Sequence, residues 1–168
     1  MNEVSATVVP KQSVLQSWLA EADFYDAWSA PLRNSVLTPT EIFLRASRTA
    51  PAWIGRAMAL RNWIVRQIGL KDVGAMSDWT GKAPASYQVG DKLGIFTVMG
   101  MAENELLLGI DDSHLDVRVS ILKIGQSGAR CVISTVVRVH NWIGRLYMVP
   151  VGRIHPLVVR AMMRAAQI

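Results

Sequence analysis

Only one cysteine, Cys131, occurs in the 168 residues. That excludes a disulfide scaffold and leaves no cysteine cluster for a metal. The residue lies in the apolar run Cys131-Val132-Ile133, where a lone thiol reads as a small buried hydrophobe in a reducing, cytoplasmic setting. Charge is also scarce: 18% of residues are charged and 51% hydrophobic, against about 25% charged in typical domains. A disordered chain would need the opposite balance. Long apolar runs are missing too. None reaches the roughly 18 residues of a membrane helix, and the longest, Leu93 to Ala102 and Cys131 to Val137, are strand-sized. Met1-Asn2-Glu3 does not begin a basic region followed by an apolar one, so no secretory signal is expected.

Acidic residues are absent from two long stretches. Residues 42–71 hold six basic residues and no acid, and residues 117–168 hold eight and no acid. The eight acids of residues 72–116 face only Lys82 and Lys92. The net charge of +5 is therefore an arginine excess on segments that read as helices. No basic-aromatic interleaving on strands accompanies it, so nucleic acid is not the expected partner.

Present in quantity are the signals of an α+β domain. Ser13 to Ala22 suits a short helical turn or two, and Phe24 to Trp28 a strand. Thr38-Pro39-Thr40-Glu41 combines a hydroxyl cap, an early proline and an acid at the positive helix end, predicting a helix to about Ala46. A second helix starts at Pro51, with Trp53, Ala57, Leu60, Ile64 and Ile68 as one apolar stripe, Arg56, Arg61 and Arg66 off it, and Gly69 as its C-cap. Residues 70–91 form the longest loop-like stretch. Strands are expected over Leu93–Met101, Glu105–Ile110, Leu115–Ile121 and Ala129–Val139, and the short turns between them imply an antiparallel meander. Asn141 caps a last helix whose apolar arc takes in Ile143, Leu146, Tyr147, Ile154, Leu157, Val158, Ala161 and Ala165. Met148, Val149, Val159 and Met163 lie off that arc. Pro150, Gly152 and Pro156 predict a kink or break near 150–155.

Several segments are similar to the bacterial domain of unknown function 2867 family. They are Pro51-Ala52-Trp53-Ile54-Gly55-Arg56 with Met58-Ala59-Leu60-Arg61-Asn62, then Tyr87-Gln88-Val89-Gly90-Asp91, then Asp111 to Ser120 (DDSHLDVRVS), and His140-Asn141-Trp142-Ile143-Gly144-Arg145-Leu146-Tyr147 running into Arg153-Ile154-His155-Pro156. The element order also resembles the helix-grip fold of the START and Bet v 1-like superfamily. The resemblance implies a single α+β domain over residues 1–168, with about residues 1–20 as an N-terminal extension. It implies a curved antiparallel sheet around a long, kinked C-terminal helix, helices inserted after the first strand, and a cavity between sheet and helix. It carries over no catalytic residue and no cofactor.

Seven residues are candidates for that cavity. His114, Asp116 and Arg118 alternate on one strand and share a face. They could serve as an acid/base pair with an anion-binding arginine, or as the solvated face of a half-buried strand with an Asp116–Arg118 ion pair. His140 and Tyr147 flank the handover from the last strand to the helix, and Trp79 and Tyr87 suit a mobile loop over the opening. His114, His140 and His155 lack chelating spacing, so no metal site is expected. The expected function is binding of a small apolar or amphipathic ligand. The alternatives are a cyclase-, isomerase- or hydrolase-like enzyme using Asp116 or His114 as base, and an interaction module for an acidic partner or an anionic membrane surface. A homodimer through the off-arc residues of the last helix is a further possibility.

Overall fold

The computed structural model describes residues 4–67, 81–126 and 129–167, apart from the side chains of Ile64 and Gln67. Seven strands make one antiparallel sheet: β1 Ser5–Ala6, β2 Phe24–Pro31, β3 Lys92–Leu93, β4 Phe96–Met101, β5 Glu105–Asp111, β6 Leu115–Ile124 and β7 Arg130–Val139. Their spatial order is β1-β2-β7-β6-β5-β4-β3. The meander β3 to β7 thus comes from short turns, while β2, the long strand before the helices, pairs with the last strand over its whole length. Three α-helices follow the class expected from sequence: α1 Pro39–Arg48 and α2 Ala52–Gln67 between β2 and β3, and α3 Trp142–Ala165 after β7.

Local chemistry sets the helix starts. Thr38 and Glu41 form a reciprocal capping box with Pro39 just inside it. Asn141 caps α3 by accepting from the Gly144 N–H at 3.1 Å. The expected strand from Leu93 to Met101 is in fact a hairpin. Gly94 takes a left-handed φ of 62°, and the two-residue turn Gly94-Ile95 pairs Leu93 with Phe96, the geometry a glycine in first position permits. A continuous apolar run conceals such a turn. The expected break in α3 does not occur: the helix runs through Pro150 and Pro156. Each proline forfeits one intrahelical bond, and burial of the helix against the rest of the protein offsets the loss.

The two long helices are rotated in part from their expected faces, with Ala57, Tyr147, Ile154 and Val158 inward as expected. On α2, Trp53 and Leu60 are exposed, whereas Ile54 and Val65 are fully buried. The inward set is Ile54, Met58, Arg61 and Val65, a helical stripe that contains a charge. Reading by hydrophobicity placed Arg61 off the apolar stripe, yet its long stem suits an apolar wall while its head finds a polar partner. On α3, Leu146 and Leu157 are exposed, while Val159 and Met163 are buried. Gly144 explains the rotation. A Cβ there would collide with the His114 backbone carbonyl and come within 2.9 Å of the Val139 side chain, so the glycine lets α3 lie directly on the β5–β6 turn and fixes its facing.

Side chains alternate between two sheet faces. One face, with Val119, Ile121, Ile133 and Leu108, packs under the helices in the main core. The other is covered by the N-terminal stretch, where Val9 and Leu15 pack with Ala27, Val132 and Val136. The segment expected as an extension thus supplies strand β1 and, over residues 9–21, part of this layer, ending in the 3-10 helix Val14–Glu21. The buried Glu105 anchors it: one carboxylate oxygen accepts from Ser13 and Ser120 hydroxyls at 2.6 Å each, the other from the Val14 N–H at 3.3 Å. Among the described residues no helix is long and apolar enough to cross a membrane.

Candidate ligand cavity

Between the helical face of the sheet and the helices lies a cavity of about 300 Å³. Its floor is strand residues that alternate inward, among them Val117, Val119, Ile133 and Val137. Phe43 and Ala46 of α1 and Ile54 and Met58 of α2 form one wall; Met148, Val151, Val158 and Met162 of α3 form the other. The floor is apolar because period-two alternation puts the apolar set of each strand on this side. The polar side chains among the described lining residues are Arg61, Asp112, Thr135, Tyr147 and His155. A second hollow, of about 750 Å³, lies between the β4–β5 and β6–β7 turns, where Gln12, Glu103, Asn104 and Lys123 border it. It is an open, polar depression, unlike the mostly apolar concavities that hold small molecules.

Two polar pairs stand on the cavity wall. Arg61 donates from Nε to the Tyr147 hydroxyl at 3.0 Å and from Nη1 to Asn62 Oδ1 at 2.8 Å. Among the described residues it makes no ion pair. Eight residues further along α3, about 12 Å at the helical rise, His155 Nδ1 meets Asp26 Oδ2 at 2.9 Å. Trp28 Nε1 donates to the same oxygen at 3.2 Å. Apolar side chains such as Val151 and Val158 occupy the helix face around and between these pairs.

Of the seven residues singled out from the sequence, Tyr147 borders this cavity among the described residues. Trp79 lies outside the described residues. Tyr87 is buried in the main core instead of lying over an opening, with Lys82 Nζ 5.9 Å from its ring centre. Asp116 and Arg118 face the opposite side of the sheet, because the apolar set Leu115, Val117 and Val119 takes the cavity side. They do not pair with each other. Asp116 bonds His140 Nε2 at 3.0 Å, and Arg118 bonds Asp111 at 2.6 Å. Arg118 and Arg138 both stack on Trp18, 4.4 and 3.8 Å from the ring centre.

His114 belongs to the seat of α3. Its Nδ1 lies 2.8 Å from Asn141 Nδ2, and its carbonyl accepts from the His140 N–H at 2.9 Å. Asn141 Oδ1, which accepts from the Gly144 N–H, lies 3.1 Å from the same His114 nitrogen. These contacts tie the β5–β6 turn to the helix cap.

Sequence reading missed Arg61, Asp26 and His155. One signal was available for Asp26. Phe24, Asp26 and Trp28 share a strand face, so a carboxylate stood in an otherwise aromatic row. His155 had no comparable signal, since only the tertiary rotation of α3 turns it inward.

A family model described as protein of unknown function (DUF2867) matches residues 18–162. No curated protein and no solved structure matches the chain.

Proposed function

The chain belongs to the DUF2867 family of proteins of unknown function, and from its cavity we propose that it binds a small apolar or amphipathic molecule between sheet and C-terminal helix, in the manner of a helix-grip domain of the START and Bet v 1-like superfamily. The observation that carries this is the apolar cavity of about 300 Å³ walled by both layers. Close packing is the rule in protein interiors, so an apolar void of this size forgoes dispersion contacts that a ligand would restore. A few placed polar groups on an apolar wall are the usual make-up of small-molecule sites. Arg61, with donors left over after Tyr147 and Asn62 are served, anchors an anionic head group, and the wall toward Val151 and Val158 takes the apolar body.

The test is mass spectrometry of small molecules released when the purified protein is denatured, alongside binding of a fluorescent naphthalene sulfonate. Wild type should release a discrete apolar or amphipathic species and bind the dye. Val117→Phe, which fills the floor, should lose both. Equal dye binding by the two proteins, with nothing released by either, overturns the reading.

A further inference from the structure

His155, on the cavity wall, stands in front of Asp26. Asp26 stands on β2 opposite Thr135 of β7, in the row that faces the helices. Its Oδ1 is buried with no hydrogen-bond partner among the described residues, while Oδ2 serves Trp28 and His155. Burial of a half-satisfied carboxylate is costly, and burying an apolar side chain there would avoid that cost. The His155 ring is fixed on a second side by Phe24, edge to face with ring centres 5.8 Å apart. The ring borders the cavity, and Nε2 has no protein partner among the described residues. One nitrogen is therefore held by a half-buried carboxylate, and the other is unclaimed among the described residues on a side chain that lines an apolar chamber.

We propose that His155 is a general base for a carbon acid held in the cavity, with Asp26 as its positioning residue, the substrate being an apolar molecule with an acidic C–H next to a carbonyl group. Asp26 accepts the Nδ1 proton, which leaves the lone pair on Nε2. A base within hydrogen-bond reach of an orienting third group is the arrangement that proton-transfer sites use. Nε2 takes the proton from carbon. The C–H electron pair becomes a carbon–carbon double bond, and the carbonyl π pair moves onto oxygen as an enolate. The imidazolium so formed faces the Asp26 carboxylate. Where the substrate also carries a β,γ carbon–carbon double bond, the enolate is a dienolate and the proton returns to its γ-carbon, so the net change moves that double bond into conjugation and needs no second reactant. The inference rests on the ligand-cavity reading above.

The experiment uses 5-nitrobenzisoxazole, a flat apolar carbon acid, with the full-length protein. Removal of its ring proton sends the C–H pair into a nitrile, breaks the N–O bond and releases a coloured phenolate. Wild type should turn it over faster than free imidazole at equal concentration. His155→Gln should lower kcat by about 100-fold, the scale of general-base catalysis. Asp26→Asn should lower kcat at nearly unchanged KM and unchanged dye affinity, because its amide can donate to Nδ1 and leave the proton on Nε2. A purely structural pair would instead lose dye binding and melting temperature together. Equal kcat in wild type and His155→Gln, with the probe bound, overturns the base and leaves the binding reading standing. Binding of neither the dye nor the probe overturns both. If the variants fail to fold, a wild-type rate no higher than that of free imidazole overturns the base.

Discussion

Arg118 stacks on Trp18, its guanidinium carbon 4.4 Å from the indole centre, on the sheet face away from the cavity. The arginine is 9% exposed and also bonds Asp111 and the Val117 carbonyl. Its role is to fasten the N-terminal layer to β6. Trp18→Ala should therefore cost about 2–3 kcal/mol, from lost apolar contact and two cation–π stacks. Urea unfolding should show that loss while dye affinity at the cavity stays unchanged. A variant that loses dye binding without losing stability would contradict this division of the two faces.

Glu105 makes a second fastening of the same layer. Glu105→Leu leaves the Ser13 and Ser120 hydroxyls without their acceptor, and each orphaned buried group costs about 1–3 kcal/mol. Unfolding free energy should fall by about 3 kcal/mol. Glu105→Gln, which keeps one oxygen acceptor, should fall by less.

Two glycines in helices should respond oppositely to alanine. Gly144→Ala places a methyl group against the His114 carbonyl and the Val139 side chain, and such overpacking should destabilise by about 2–3 kcal/mol. Gly55 has nothing within 4 Å of a built Cβ, so Gly55→Ala should stabilise α2 by about 0.5–1 kcal/mol. Thermal melts of the two variants check both signs at once.

Arg61→Met removes the only described cation on the cavity wall. A charge-assisted contact is worth about 1.5–3 kcal/mol, so decanoate should bind about tenfold or more weakly. Decanol, of the same length without the charge, should bind as before. Equal loss for both would show that the arginine acts through packing and not through its charge.

Burial pushes the Cys131 thiol up to about 12. The native protein should stay inert to Ellman's reagent at pH 8, and one thiol should react after denaturation. The folded value is raised, so the stabilisation from keeping this thiol neutral is complete below its ordinary range near 9 and is lost as pH climbs through about 12. Unfolding should become easier across that alkaline window. Cys131→Ser would remove the dependence, and denaturation midpoints against pH measure it.

The sequence by itself determined most of the elements, though not β1 or the Gly94-Ile95 turn. Alternation at Leu115, Val117 and Val119 with Asp116 and Arg118, the Thr38–Glu41 box and the Asn141 cap are local patterns, and each produces its local structure. It also determined the α+β order, because short turns leave successive strands no partner nearer than each other. What it could not determine is which way the long helices face. Apolar periodicity counts Trp53 and Leu146 as inward and Arg61 as outward, and gives His155 no inward place. Yet the first two are exposed and the last two border the cavity. Rotation is set by long-range contacts, Gly144 against the His114 carbonyl and Arg61 against Tyr147, between residues 30 and 86 positions apart. The same reason hid the His155–Asp26 pair, whose members are 129 residues apart and meet only when α3 lies across β2.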